Sequence, residues 1–141
     1  MREPDEKTLL LLEEQAVAAR KKAYVPYSHF AVGAALLGED GNVYTGCNIE
    51  NASYPAGNCA ERTAIFKAVS EGCREFQAIV VAGGPAGSGH LTLCTPCGIC
   101  RQVMREFCAP EFPIYFSDGK GGFRMMTLSQ MLPESFGPES L

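Results

Sequence analysis

Residues 59–82, CAERTAIFKAVSEGCREFQAIVVA, decide the fold. The first half places Ala60, Ala64, Ile65, Ala68 and Val69 on one face at helical spacing, and Gly72 is a natural C-terminal cap. The second half, 77–82, is an unbroken apolar run. Such a run suggests a strand buried on both faces. A helix feeding a strand of this kind, with a further helix beyond it, implies a parallel strand pair in the middle of the sheet.

Working outward, the N-terminal side reads as a helix over 5–24, with the apolar stripe Leu9, Leu12, Ala16, Ala19 and Ala23. Asp5 and Glu6 suit its start, Arg20-Lys21-Lys22 looks like its solvated end, and Pro26 stops it. FAVGAALL (30–37) is a strand, Glu39-Asp40-Gly41-Asn42 a hairpin turn, and 43–49 the return strand. NASYPAGN (51–58) is a loop by composition. On the C-terminal side, GGPAGSGH (83–90) reads as a flexible connection, and Pro96 opens a short helix, CGICRQVMREF (97–107). PIYFSD and GFRMMT form a last strand pair, and a short helix spans about 128–132. The predicted order is αββαβαββα: an α/β fold with a five-stranded mixed sheet, antiparallel hairpins at its ends, and one domain over 1–141.

With 141 residues, 46% hydrophobic and 20% charged, the chain has an ordinary globular composition. The net charge of −4 and the scattered lysines and arginines argue against nucleic acid as a partner. No apolar stretch reaches membrane-span length, and MREPDEKTLL lacks a signal-peptide layout. A cytoplasmic, reducing location is therefore expected, where the Asn51-Ala52-Ser53 sequon has no meaning. Seven cysteines, an odd number, then favour metal binding or plain burial over disulfides.

TPCGIC (95–100) carries the chemistry. Cys97 and Cys100 lie on nearly the same helical face, roughly 60° apart. A helix N-terminus also lowers thiol pKa values. The spacing suits half of a structural zinc site, a redox dithiol, or two ligands of a catalytic metal. No separate second CxxC, apart from the Cys94–Cys97 pair that shares Cys97, exists to complete a zinc ribbon. Cys94-x-x-Cys97-x-x-Cys100 resembles the start of an iron–sulfur run, but position 104, its next ligand, is Met. Cys59 begins the other central helix and is a third candidate. Three thiolates and one open position match a catalytic zinc. Glu61 follows two residues later, about 200° round a regular helix. Both can face one site only if Cys59 sits at the helix boundary.

Cys59-Ala60-Glu61 with Pro96-Cys97-x-x-Cys100 resembles the three-cysteine form of the zinc nucleobase-deaminase signature. CNIENASYP (47–55), CAERTAIFKAVSEG (59–72), PCGICRQVMREF (96–107) and LPESFGPE (132–139) together are similar to animal cytidine deaminases, over nearly the whole chain. The resemblance implies a three-layer αβα fold. It implies hydrolytic deamination of cytidine and 2′-deoxycytidine to the uridine forms, with release of ammonia, in pyrimidine salvage. One Zn2+ per subunit would sit on Cys59, Cys97 and Cys100, with Glu61 carrying protons and Arg62 donating to the thiolates. Asn48 and Glu50 would bind the ribose 3′-hydroxyl. The Ala60 N–H would meet the pyrimidine O2, and the carbonyl near Thr95 the exocyclic amine. Phe30 and Tyr54 would border the nucleoside. Phe136 would cover the base in a neighbouring subunit of a homotetramer.

Two features depart from that family's pattern: the Gly-rich 83–90 segment, and Cys94 where an apolar residue is expected. Cys94 is read as packing. Cys47, Cys73 and Cys108 have no partner pattern, and His29 and His90 lack ligand spacing. Two alternatives stand beside the lead reading. One is a deaminase of another aminopyrimidine nucleoside, of the blasticidin S type. The other is a non-catalytic zinc-binding module.

Overall fold

A computed structural model describes residues 3–118 and 120–141. The elements follow the predicted order: α1 (Glu6–Arg20), β1 (Phe30–Gly38), β2 (Val43–Cys47), α2 (Ala60–Ser70), β3 (Phe76–Pro85), α3 (Gly98–Phe107), β4 (Pro113–Ser117), β5 (Phe123–Thr127) and α4 (Leu128–Met131). The five strands form one sheet in the order β2-β1-β3-β4-β5. β3 and β4 pair in parallel, and the other neighbours are antiparallel. The expected parallel pair and terminal hairpins are both present.

Strand periodicity sorts the core into two layers. Ala35, Leu37, Ala78, Val80, Ala82 and Tyr115 face α1, packing with its Leu12 and Ala16. The alternate residues Ala34, Leu36, Ile79, Val81, Ile114 and Phe116 face α2 and α3, packing with Ala64, Ile65 and Met104. Burial on both faces explains the unbroken apolar reading of 77–82.

The topology also aligns the helices. β2 and β3 are both antiparallel to β1, so they run parallel to each other, and α2 is the crossover between them. α3 is the next crossover, from β3 to β4. Both crossovers advance the same way across the sheet, so one handedness places them on one face. Both helices then start at the same end of the sheet. α2 lies against β2 at Gly46, where a Cβ would stand 2.5 Å from both the Ala60 carbonyl oxygen and the Ala64 nitrogen.

Three local readings change. β3 runs on through Gly83 and Gly84, which were expected in the connection. The chain doubles back on it: the Thr92 N–H donates to the Gly83 carbonyl at 2.8 Å, and the His90 carbonyl occupies the place a Cβ of residue 84 would take. β2 stops at Cys47, and Ile49 instead bridges to Tyr24 and Asn58. α1 ends at Arg20, and that residue is not solvated. Lys21 and Lys22 are exposed as expected, but Arg20 is only 7% exposed. Its guanidinium donates to the carbonyls of Ala31 (2.9 Å), Pro85 (3.1 Å) and Ser88 (3.4 Å). A planar fork of donors satisfies three carbonyls that loop and strand ends leave there. No helix of the described residues is long and apolar enough to cross a membrane.

Arg20→Met keeps the apolar stem and strands those carbonyls. It is expected to lower unfolding free energy by about 2–3 kcal/mol, read by denaturant melts. An unchanged midpoint would show the three bonds to be dispensable.

Candidate active site

Cys59 and Cys97 each precede the first helical residue, with extended backbone (φ −82°, ψ 158° and φ −69°, ψ 168°). Cys59 is thus at the boundary of α2, and Glu61 lies within its first turn. That is the condition under which both can face one point. Cys100 is buried in the first turn of α3, and its N–H donates to the Cys97 sulfur at 3.4 Å. The sulfurs of Cys59 and Cys97 are 3.6 Å apart, and those of Cys97 and Cys100 3.4 Å. All three lie within 4.8 Å of one another. Thiolates in a tetrahedron around zinc at about 2.3 Å sit ~3.8 Å apart. The three sulfurs therefore fit a zinc-sized ion with little movement.

Charge is arranged around this cluster. The Cys59 thiol is pulled down to about 5, first by a hydrogen bond from Cys100 and then by Arg62, against the effect of burial. Cys100 is the other half of that shared proton and is pushed up, by Cys59 first and by burial second. A divalent cation among the sulfurs would remove the reason for either to stay protonated. Arg62 Nη2 donates to the Cys59 sulfur at 3.4 Å. Burial works against the guanidinium charge, but hydrogen bonds to Cys59 and Cys100 more than offset it, and the Arg62 pKa rises. Glu61 is 3% exposed, and burial, then the Cys59 charge, lift its carboxyl to about 7. A carboxyl poised there can both accept and give a proton near neutrality.

Cys94 stands apart from the sulfur cluster. It packs on Gly83, where a Cβ would come within 2.8 Å of both its Cβ and its sulfur. Burial, then the charges of Glu61 and Cys59, raise its thiol to about 11, so it is a neutral filler. The two departures in the sequence thus meet in one packing contact, Gly83 near the end of β3 against Cys94.

A cleft of about 390 Å3 reaches Cys59 and Arg62 and is bordered by Asn48, Glu50 and Tyr54. Asn48 bridges β1: its Oδ1 accepts from the Val32 N–H and its Nδ2 donates to the Phe30 carbonyl, both at 2.9 Å. One Glu50 oxygen accepts from the Tyr27 and Ser28 N–H groups at 3.0 and 3.2 Å. Hydrogen bonding, first from the Ser28 side chain, holds the Glu50 carboxyl below its usual range. Tyr54 is 76% exposed, its ring 6.3 Å from that of Tyr27. Ala60 is buried as the first residue of α2, where backbone N–H groups lack intrahelical partners. Phe30 packs against the core beside Gly83 and does not line the cleft. Phe136 is exposed on the α3 side of the chain, its carbonyl accepting from Gln102 Nε2 at 2.9 Å. His29 and His90 are exposed.

Several supporting residues escaped the sequence reading. Tyr27 and Ser28 hold Glu50 through backbone N–H groups, which no side-chain motif announces. Asn58 Nδ2 donates to Thr63 Oγ1, which donates to the Cys59 carbonyl, each at 3.1 Å. Arg101 Nε donates to the Pro96 carbonyl and its Nη1 to the Met131 carbonyl, both at 2.8 Å. Its place directly after Cys100 was the one available hint.

Comparison with known proteins agrees with this geometry. Residues 6–116 match the family model described as the cytidine and deoxycytidylate deaminase zinc-binding region. A cytidine deaminase of Sporosarcina psychrophila is 52% identical over 123 residues, 87% of each chain. One from Halalkalibacterium halodurans is 48% identical over 131 residues, 93% of this chain and 96% of the relative. The crystal structure of cytidine deaminase from Burkholderia pseudomallei superposes with a TM-score of 0.80 at 48% identity, covering 90% of this chain and 98% of that one.

Elemental analysis separates ligands from bystanders. Cys59→Ala and Cys97→Ala are each expected to lose most of the bound metal, whereas Cys94→Ser keeps it. Metal retained without Cys59 would break the three-sulfur site, and metal lost with Cys94 would add a ligand.

Proposed function

The chain belongs to the cytidine deaminase family, and on that premise we propose that it hydrolyses cytidine and 2′-deoxycytidine to uridine and 2′-deoxyuridine, releasing ammonia in pyrimidine salvage. The observation that carries this reading is the buried Glu61 carboxyl in the first turn of α2, beside three sulfurs gathered at two helix N-termini. Cys59, Cys97 and Cys100 would hold one zinc ion per subunit. Zinc bound there supplies the Lewis acidity that makes water a nucleophile near neutral pH. Three thiolates leave the site with a formal charge of −1, which the two helix N-termini and the Arg62 hydrogen bond offset.

Glu61 takes a proton from the attacking water and delivers it to ring N3, then carries the second to the departing amine. A carboxyl near 7 serves both directions. The nucleoside is read into the cleft with its base toward the sulfurs. The Ala60 N–H donates to O2, and the carbonyl near Thr95 accepts from the amine. Asn48 and Glu50 take the ribose 3′-hydroxyl. Each Asn48 polar atom already has one partner, which fixes its orientation, and the amide has a further N–H and lone pair for the sugar. Tyr54 borders the nucleoside from the exposed wall, and Phe30, in the core beside Gly83, is read as its neighbour from within the fold. Residues 1–141 act as one domain. Its seven free cysteines suit the reducing cytoplasm.

Phe136 is 60% exposed in the single chain. We read it as covering the base in a neighbouring subunit of a homotetramer. Light scattering is expected to give four chains per particle, and a stable active monomer would contradict the shared site.

Glu61→Gln removes the proton carrier and keeps the shape. Uridine formation is expected to fall by about 10²–10⁴-fold with metal content unchanged. Equal activity in the variant would overturn the role of Glu61, and a panel of aminopyrimidine nucleosides fixes the substrate.

A further inference from the structure

We propose that Arg105 is a positioning residue for the reaction, acting through Phe136, with α3 as the frame that holds the tail. The proposal rests on the reading of Phe136 as a cover for the base. From the last residue of α4 onward, the C-terminal segment is gripped by three side chains of α3. Arg101 holds the Met131 carbonyl at 2.8 Å, and Gln102 holds the Phe136 carbonyl at 2.9 Å. Arg105 then takes both neighbours of Phe136. Its Nε donates to Ser135 Oγ at 2.8 Å, and its guanidinium covers Gly137 so closely that a Cβ there would overlap it. The same guanidinium pairs with Glu139, in a turn closed by the Gly137 N–H donating to Ser140 Oγ at 3.2 Å.

Gly137 has an extended backbone (φ −152°, ψ −172°) that any residue adopts. Glycine is there for space, so that the guanidinium can lie flat against the chain. The result is unusual for a tail: Gly137 is buried, while the adjacent Phe136 ring is 60% exposed. An apolar ring held out on a pinned backbone is preorganised to be covered by something outside its own chain. Ordering it in advance lowers the entropy lost when it closes on a base. Lysine cannot reproduce this, since one ammonium cannot donate along a plane to Ser135, face Gly137 and pair with Glu139 together.

The test uses full-length, metal-loaded enzyme and steady-state kinetics with cytidine. Phe136→Ala removes the cover, and Arg105→Met removes the clamp while keeping an apolar stem. Both are expected to raise KM about tenfold with a smaller change in kcat, the size of one base stacked on one ring. The double variant is expected to be no worse than Phe136→Ala alone, because Arg105 acts through the ring. Arg105→Lys should not rescue. Gly137→Ala, which displaces the guanidinium and leaves Arg105 in the chain, should raise KM in the same way if Arg105→Met fails to fold. Additive effects in the double variant, or unchanged KM in Arg105→Met or Gly137→Ala beside a raised KM in Phe136→Ala, would overturn the clamp and leave the Phe136 reading standing. Unchanged KM in Phe136→Ala would instead overturn the Phe136 reading, and the clamp's role with it.

Discussion

Two helix N-termini meet at one point, and the rest of the site depends on that meeting. Three sulfurs within 4.8 Å, with a buried carboxyl beside them, concentrate negative charge in a low-dielectric region. Such a cluster is tolerable only where positive potential converges on it. The open N–H groups of α2 and α3 supply that potential, Arg62 adds a full charge, and the site chemistry provides for a cation. The meeting follows from topology. α2 and α3 are successive crossovers advancing in one direction between parallel strands, so both begin at the same end of the sheet on the same face.

Close packing turns this topological arrangement into a site of definite dimensions. At Gly46 the backbone of α2 comes closer to β2 than any side chain would permit, which fixes the helix that carries Cys59 and Glu61. At Gly83 the chain leading into α3 folds back so that Cys94 fills the space a side chain would take. Arg20 ties α1 to β1 and to the end of β3 from the opposite layer. None of these residues needs to touch a substrate. The contacts at Gly46 and Gly83 limit the freedom of α2 and of the chain leading into α3, as preorganised sites require.

The element order was readable because its signals are local. Periods of 3.6 and 2, Pro96 at a helix start, and the Glu39–Asn42 turn each act within a few residues of chain. The metal cluster was readable for a related reason. Two of the three thiols stand at helix starts that the same periodicities reveal, and the third follows at helical spacing. Arg20 misled because a basic run at a helix end is usually solvated, and nothing nearby in the chain shows carbonyls 65 and 68 residues later waiting for it. Gly83 and Gly84 misled likewise: glycines read as a flexible link were strand, made small for the return chain at His90 and Cys94. Asn48 and Glu50 were singled out only by the family resemblance, and their backbone partners at Tyr27, Ser28, Phe30 and Val32 come from the fold.

The sequence by itself determined the α/β order and offered Cys59, Cys97 and Cys100, with Glu61 close by, as candidates, because helix caps and residue chemistry are short-range properties. Only the tertiary structure decided which cysteine stays out of the cluster. Cys94 is as near Cys97 in sequence as Cys100 is, yet its sulfur packs on Gly83 while that of Cys100 turns to Cys59 and Cys97. The tertiary structure also decided that the tail is held by Arg105 against Gly137. The physical reason is the same in both cases. Which neighbour a side chain meets is set by how distant segments pack, and spacing along the chain carries no record of that.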